Sequence, residues 1–347
     1  MNLEQLRGFV EIAQIGHFTR AAERLHVAQP SLSRQIATLE AELGVTLLHR
    51  ARGNVSLTAA GEQLLPIARR MLADAETARE EMAQLSGLRR GRVRLGATPT
   101  LCTSLVAEVL AEFRLEHPGI DVEILERGSR SLIAALMEGA LDLALIVTSV
   151  SSGAERAVLE REELLSERLV AVSAADQADP FARAGRAASA AVSLAELARV
   201  PQVVFPENYD LRATVDAAFG AAGLRPTVAV TGAEMDAALR FAERGIGVAV
   251  APAMVAAERP RLRATPIADP SLARTVSIAR RSDMVATHAS AALREVTHRV
   301  ADRLTAGGAP LARLVTRATG VSPGEETPRS PARAGTPAAG RVQAQAR

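Results

Sequence analysis

The stretch FTRAAERLHVAQPSLSRQIATLE near the start of the chain combines two small alanines, a tight turn and a helix with one polar face. Leu32, Ile36 and Leu39 recur at helical spacing and predict the buried face of that helix. Short side chains opposite them let the backbone approach a groove closely, and Arg34 can reach a guanine edge or a phosphate. A second helix presented by its N-terminus is the docking mode of a helix-turn-helix in the major groove. We therefore expect contact with double-stranded DNA from Thr19, Gln29, Pro30, Ser31, Ser33, Arg34, Thr38, Arg50 and Arg52.

Local signals around this helix predict its boundaries and a neighbouring hairpin. Thr19 is expected to cap the first helix, and Gln29 to cap the second, with Pro30 at its first position. The runs 46–50 and 55–58 flank a Gly-Asn turn and predict a two-stranded wing. Arg52 at its tip and Arg50 beside it could enter the minor groove, which attracts arginine where it is narrow. A three-helix domain that binds protein is the alternative.

Residues 59–88 predict one long amphipathic helix, with Thr58 placed to cap it and Pro66 expected to bend or re-cap it. Its apolar or small residues recur at alternating steps of four and three, which is a heptad seam that buries against a partner helix. We expect this seam to form a homodimer, and the alternative is a helix that lies on its own domain. The seam residues are Leu64, Ala68, Met71, Ala75, Ala78, Met82 and Leu85.

After residue 91, short β-type runs alternate with helical patterns, which predicts a mainly parallel α/β fold. In such sheets, ligands bind beyond the carboxyl ends of the strands. The predicted strands are 91–97, 122–126, 143–148, 169–172, 202–205, 227–230, 247–251 and 275–279.

Composition narrows the class of protein. All 41 basic residues are arginine, and the net charge is +3 over 1–94, −5 over 95–304 and +4 over 305–347. Only the two ends of the chain are basic, so only they favour binding to polyanions. Neither a membrane span nor a signal peptide is indicated, so we expect a cytoplasmic protein with no membrane partner. The single cysteine, Cys102, excludes an intramolecular disulfide and a multi-cysteine metal site.

Catalysis is not expected, and neither a metal nor a cofactor is predicted. The six histidines show no ligand spacing, and neither G-x-S-x-G nor H-E-x-x-H occurs. Glu138 and Asp142 stand four residues apart, but a solvated helix end explains them. An enzyme of the α/β region and an architectural DNA-binding protein are the alternatives from other classes.

The order of MNLEQLRGFVEIAQIGHFTRAAERLHVAQPSLSRQIATLEAELGVTLLHR and VSLTAAGEQLL resembles the LysR-type transcriptional regulators. The resemblance extends over about residues 1–304 and is most specific in the first 65. It implies a dimer, or a dimer of dimers, bound to a promoter site of dyad symmetry, with RNA polymerase as a further partner. The family's recognition helix matches Gln29, Pro30, Ser31, Ser33 and Arg34, and its wing arginine matches Arg52.

The same resemblance implies an effector-binding domain like a type 2 periplasmic solute-binding protein, with a small-molecule inducer between two subdomains. RVRLGATPTLCTSLVAEVLAEFRLEHPGIDVEI, LMEGALDLALI and FAERGIGVAVAP carry it. By motif position, the cleft residues are Thr98, Thr100, Leu101, Ser129, Thr148 and Phe205, with Thr231 added from the strand end TVAVTG. Free N–H groups at a helix N-terminus and nearby hydroxyls suit a carboxylate.

Three alternatives stay open in this domain. Thr98 and Thr100 could serve only to cap their helix, and the α/β domain of a constitutive repressor could serve only oligomerisation. Cys102 in the first cleft turn could sense oxidants as a thiol, against the alternative of a buried, inert cysteine.

The predicted domains are a winged helix-turn-helix at 1–58, a linker helix and hinge at 59–90, an effector-binding domain at 91–304 and a disordered tail at 305–347. Within the effector-binding domain, subdomain I covers 91–165 with 268–304, and subdomain II covers 166–267. The tail is rich in Pro, Gly, Ala and Arg.

Overall fold

The computed structural model describes residues 1–51, 54–85, 91–148, 159–182, 191–207, 209–257, 259–269, 272–308 and 313–318. The predicted wing tip Arg52 lies outside these residues. None of the helices in the described ranges is long and apolar enough to cross a membrane.

The first 57 residues form three helices and a hairpin around one core. Their bounds are α1 Leu3–Ile15, α2 Phe18–Arg24, α3 Gln29–Leu43, β1 Leu48–Ala51 and β2 Asn54–Leu57. Phe9, Leu32 and Ile36 are fully buried between the helices. Gly8 permits this close packing, because a Cβ there would lie 2.7 Å from Cδ1 of Leu32. The helix-turn-helix therefore depends on a small residue in α1 where α3 crosses it.

The cap predictions for these helices are wrong. His17 precedes α2, and Thr19 is the second residue inside that helix. Ala28 precedes α3, so Gln29 is the first helical residue and Pro30 the second. Neither cap donates or accepts a side-chain capping bond. The tight turn itself fixes the start of α3, and His26 adopts a left-handed φ of 54° within it.

The long helix α4, Ala59–Leu85, continues through Pro66 without interruption. Thr58 caps it, because its Oγ1 accepts a hydrogen bond from Gly61 N at 3.1 Å. Leu64 and Ala68 pack into the core of the first three helices, and Ala68 is fully buried there. The expectation that these two seam residues bury only against a partner helix is therefore wrong. Their own domain covers them, as the alternative interpretation held.

The remaining described residues form an eight-stranded mixed sheet, a separate parallel two-stranded sheet and flanking helices. The strands are β3 Gly91–Ala97, β4 Ile120–Glu126, β5 Leu143–Thr148, β6 Leu159–Ala174, β7 Pro201–Val204, β8 Thr227–Thr231, β9 Ala249–Pro252, β10 Leu262–Pro266, β11 Ala273–Arg281 and β12 Val315–Arg317. The helices are α5 Pro99–Leu101, a π-helical turn Cys102–Val106, α6 Ala107–Glu116, α7 Ser129–Met137, α8 Leu194–Ala198, α9 Asp210–Ala221, α10 Met235–Glu243, α11 Ala253–Ala257 and α12 His288–Thr305.

The prediction of a mainly parallel sheet is wrong. The strand order is β10-β6-β11-β5-β3-β4, and within it only the pairs β5–β3 and β3–β4 are parallel. The other pairs, which involve β6 or β11, are antiparallel. The long strand β6 runs through two cores: Leu165 belongs to one, and Val170 to the other. Strands β6 and β11 thus connect two lobes, each with its own apolar core.

The prediction of disorder from residue 305 is wrong at 315–317. Strand β12 pairs antiparallel with β6, opposite Leu165–Glu167, and Val315 is fully buried against the first lobe. We attribute this pairing to the edge of β6, which would otherwise be exposed here: the short strand β12 satisfies its backbone hydrogen-bonding groups. The predicted tail from 319 onwards lies outside the described residues.

Candidate functional site: a nucleic-acid interface and a ligand pocket

Helix α3 presents one apolar and one polar face. Leu32, Ile36 and Leu39 are fully buried. On the other side Gln29, Pro30, Ser31, Arg34 and Thr38 are exposed, and Ser33 is half-buried. Among the described residues, the Arg34 guanidinium has no hydrogen bond or ion pair, whereas Thr38 donates to the Arg34 carbonyl at 3.0 Å. This face thus carries one free cation among short side chains.

Arg50 is held by the domain itself. Its Nη2 lies 2.8 Å from Glu40 Oε2, and its guanidinium carbon lies 5.4 Å from the centre of the Phe18 ring. Glu40 Oε1 also accepts from Leu47 N at 2.8 Å. Glu40, which sequence analysis missed, therefore ties the hairpin to the end of α3, and Arg50 supports this tie.

The second half of α4 leaves an apolar stripe open. Met71 is 37% exposed and Met82 is 61% exposed, Ala78 is also exposed, and Ala75 is half-buried. Leu85 lies at the end of α4, outside the residues whose side chains are described. The stripe spans about three turns of the predicted seam, and the described residues leave it largely exposed.

A cavity of about 210 Å³ lies where the two lobes meet. Thr98, Thr100 and Ser129, three of the predicted cleft residues, line it and are each less than 8% exposed. The other lining residues are Pro99, Gly128, Val147, Leu169, Tyr209, Asp210, Leu211, Thr214, Ala273 and Arg274. The pocket therefore joins the ends of β3 and β5 in one lobe to the start of α9 in the other.

Four predicted cleft residues do not line this cavity. Leu101 is fully buried in the core of the first lobe, and Phe205 is buried in the second core. Phe205 supports the cavity indirectly, because its ring stacks on Tyr209 with 5.6 Å between centroids. Thr231 is exposed at the end of β8, and Thr148 pairs with Thr275 at the end of β5.

A buried ion pair forms the base of the pocket. Arg274 Nε donates to Glu167 Oε2 at 2.7 Å, with side chains 9% and 0% exposed. Arg274 Nη1 donates to Thr100 Oγ1 at 2.7 Å. Glu167 Oε1 accepts from Met254 N at 2.6 Å, which links the pair to α11 in the second lobe. One charge pair thus connects both hinge strands, both lobes and a pocket hydroxyl.

Two hydroxyls of the first lobe accept hydrogen bonds from within the protein: Thr100 Oγ1 accepts from Arg274, and Ser129 Oγ accepts from Val147 N at 3.1 Å. Thr100 Oγ1 also lies 3.4 Å from Thr98 Oγ1, and either of these two can be the donor. The Ser129 hydrogen and one hydrogen of the Thr98–Thr100 pair are therefore left to donate. Thr98 precedes α5 without a side-chain capping bond, and Gly128 precedes α7 with no side chain to cap it. The free N–H groups of the first turn of α7 add further donors at this edge. This end of the pocket suits an acceptor, best an anion.

The environment of Cys102 disfavours thiolate chemistry. Burial, together with the nearby Glu126 carboxylate, raises the pKa of the half-buried thiol to about 11. Reactive cysteines have lowered pKa values in electropositive surroundings. No cluster of three or more candidate metal ligands occurs among the described residues. The inert interpretation of Cys102 is thus the better supported one.

The chain combines a helix-turn-helix and its hairpin with a long helix and a two-lobed α/β domain around a pocket. This combination defines a ligand-responsive DNA-binding regulator. Two family models match this division. The LysR substrate binding domain matches residues 86–302, and the bacterial regulatory helix-turn-helix of the lysR family matches residues 3–62.

Individual relatives agree with these models. The chain is 30% identical over 279 residues to the transcriptional regulator YybE of Bacillus subtilis, covering 80% of this chain and 92% of that protein. It is 32% identical over 280 residues to the transcriptional dual regulator GltC of the same species, covering 80% and 90%. The solved complex of full-length CbnR with its target DNA is similar, with 26% identity, a TM-score of 0.61 and coverage of 86% and 100%. Full-length OxyR from Pseudomonas aeruginosa gives 26% identity, a TM-score of 0.67 and coverage of 92% and 98%. The chain belongs to the LysR family of DNA-binding transcriptional regulators with an effector-binding domain.

Proposed function

We propose that this regulator binds promoter DNA under the control of a small carboxylate-bearing molecule in the pocket between the lobes. The observation that carries the proposal is that Thr100 and Ser129 accept hydrogen bonds from within the protein, which leaves the Ser129 hydrogen and one hydrogen of the Thr98–Thr100 pair to donate. Their burial strengthens such bonds, because water competes little in a low-dielectric cavity. We assign the protein a binding role without catalysis, exercised in the cytoplasm where promoter DNA lies.

Thermal denaturation of the full-length protein with a panel of carboxylates tests the ligand part. We expect at least one carboxylate to raise the melting temperature, and Thr100→Ala and Ser129→Ala to remove most of that rise. Thr103→Ala is the matched control, because this exposed neighbour donates only to backbone carbonyls of its own segment. No stabilisation by any carboxylate would leave a constitutive DNA-binding protein, and an unchanged rise in the Thr100 and Ser129 variants would reject this pocket.

For the DNA part, we propose that α3 lies in the major groove through Gln29, Pro30, Ser31, Ser33 and Arg34. Thr19 and Thr38 flank that face, and Arg52 would enter the minor groove from the wing. Arg50 supports the wing from its bond to Glu40. The free guanidinium of Arg34 supports a base contact, which is worth about 1–3 kcal/mol of discrimination.

Footprinting on the promoter beside its own gene, at roughly 150 mM salt, tests this reading. We expect a protected site of dyad symmetry, because a dimer bound through two recognition helices reads two half-sites. Arg34→Ala should lose sequence preference, while Arg20→Ala, at an exposed position of α2, serves as the control for charge alone. Absence of a protected dyad would refute the proposal. We propose that two dimers assemble as a tetramer on longer sites and that RNA polymerase is a further partner.

A further inference from the structure

The charged residues that line the pocket are few. Of the thirteen lining residues, all within the described part of the chain, only Asp210 and Arg274 carry formal charges. Arg274 is neutralised by Glu167, which is fully buried beside it. The Asp210 carboxylate has no hydrogen bond or ion pair with another described residue. Its carbonyl alone is engaged, by the Thr214 hydroxyl at 3.1 Å. The unpaired charge of the pocket is therefore negative.

Further carboxylates lie near the side chain of Tyr209, which also lines the pocket. The neighbouring Tyr209 hydroxyl has its pKa raised to about 12, first by burial and then by the carboxylates of Glu234, Glu126 and Asp236. Arg212, the arginine nearest to Asp210 along the chain, bonds Asp216 and the Phe205 carbonyl, and Arg259 of the same lobe bonds Asp236. Neither of these two arginines is left to balance Asp210.

The pocket thus has two chemically different ends. Thr98, Thr100 and Ser129 offer hydroxyl donors at the first lobe, and Asp210 offers an acceptor at the second, with apolar Val147, Leu169 and Leu211 also lining the pocket. A bare carboxylate would satisfy the donors but would meet an unpaired carboxylate across the pocket, and like charges in a cavity repel. A cavity of about 210 Å³ is also smaller than the roughly 300–1,000 Å³ of sites for drug-sized ligands.

We propose that the effector is a small zwitterion of the amino-acid type, with its carboxylate at Thr100 and Ser129 and its ammonium group at Asp210. This inference rests on the proposed ligand-binding function and adds the second charge. It makes Asp210 the residue that distinguishes an amino acid from the corresponding simple acid.

Calorimetric titration of the full-length protein with matched pairs tests the inference, after a thermal-shift survey. The probes are the standard L-amino acids and their α-deaminated carboxylic acids, such as L-leucine with 4-methylpentanoate. We expect at least one amino acid to bind roughly tenfold or more tightly than its deaminated partner, since a bond to a charged group is worth that much. Asp210→Asn should abolish this preference, because the deaminated acid no longer meets a negative charge.

Controls separate this role from a structural one. Asp210 stands in the first turn of α9, where a carboxylate also stabilises the helix. Asp210→Ser retains a residue suited to a helix start and should lose the preference too. Asp216→Asn on the same helix removes an exposed ion pair away from the pocket and should keep it.

The outcomes are distinct. If the deaminated acids bind as tightly as the amino acids, or if both Asp210 variants keep the preference, the zwitterion inference is wrong while carboxylate binding stands. If neither series binds, the proposed ligand-binding function fails together with the inference. An amino-acid preference that the Asp210 variants lose and Asp216→Asn keeps would establish it.

Discussion

At the scale of single residues, the Arg274 guanidinium bonds two neighbours and reaches a third through one of them. It bonds Glu167 on β6 and Thr100 beside the pocket, and Glu167 in turn accepts from Met254 N. A buried charge of this kind is stable only while its partner remains. The position of the Thr100 hydroxyl, and hence the donor that it offers to a ligand, depends on this pair.

Glu167→Gln is expected to lower the free energy of unfolding of the effector-binding domain by about 3–5 kcal/mol, since it leaves the Arg274 charge buried without a counter-charge. The amide oxygen can still accept from Met254 N, so the loss reports the charge. Chemical denaturation measures it. Glu162→Gln on the same strand is the control, because its partners Arg294 and His298 are partly exposed and such pairs contribute up to about 1 kcal/mol. Equal losses in the two variants would contradict the argument.

Part of the pocket follows from local sequence, and part does not. Thr98, Thr100 and Ser129 stand just after predicted strands and at helix starts, which is where such folds bind ligands. Tyr209, Asp210 and Arg274 reach the pocket from positions more than 100 residues from Thr100. No local pattern reports that proximity, although the single tyrosine of the chain was a signal that the prediction left unused.

Strand β6 shows the same limit at the scale of elements. The apolar run 169–172 predicted a short strand, whereas β6 covers Leu159–Ala174. Its first half, LEREELLSERL, is dominated by charges that are typical of a solvated segment. The strand forms because β11 pairs with it along this half and Leu164 and Leu165 are fully buried, while its charges find partners on other elements, as Glu160 does with Arg280. Such pairing depends on the fold and cannot be predicted from a short segment of the sequence.

Helix α4 likewise combines two roles that its heptad pattern could not separate. Leu64 and Ala68 serve the core of the DNA-binding domain, whereas Met71, Ala78 and Met82 remain open. The same repeat thus holds the helix on its own domain at one end and offers a partner surface at the other. We propose that the open stripe forms the homodimer.

Met82→Glu combined with Met71→Glu is expected to convert the dimer to a monomer, because two charges would be buried in the seam without partners. Sedimentation equilibrium of the full-length protein measures the mass, and the variant should also lose dyad protection in footprinting. Gln63→Glu adds a charge to an exposed position elsewhere on α4 and should leave the mass unchanged. A double variant that sediments as the unaltered protein does would show that another surface holds the dimer.

At the scale of the whole molecule, α4 also contacts the effector-binding domain directly. Arg69 forms an ion pair with Glu138 just after α7, and Thr77 contributes to a small cavity beside Arg281. The closest approach is at Gly139, where a Cβ would lie 2.9 Å from Ala73 Cβ and 3.4 Å from Arg70 Cα. The backbone of the first lobe therefore rests against the helix that positions the DNA reader, so a shift of either one displaces the other.

Gly139→Ala is expected to loosen this contact and to cost more stability than Gly223→Ala. Both glycines have left-handed φ values, 70° and 65°, so each alanine incurs about 1–2 kcal/mol of backbone strain. Only at Gly139 does the new methyl group meet another element, because nothing lies within 4 Å of a Cβ at Gly223. Overpacking there adds about 1–3 kcal/mol, which chemical denaturation of the two variants resolves.

Ala73→Gly removes the methyl group on the other side of the contact. In the Gly139→Ala background it should therefore recover part of the loss, even though glycine alone costs about 1 kcal/mol in a helix. If the stability of the double variant equals the value obtained by adding the two single effects, α4 and Gly139 are not in contact in solution.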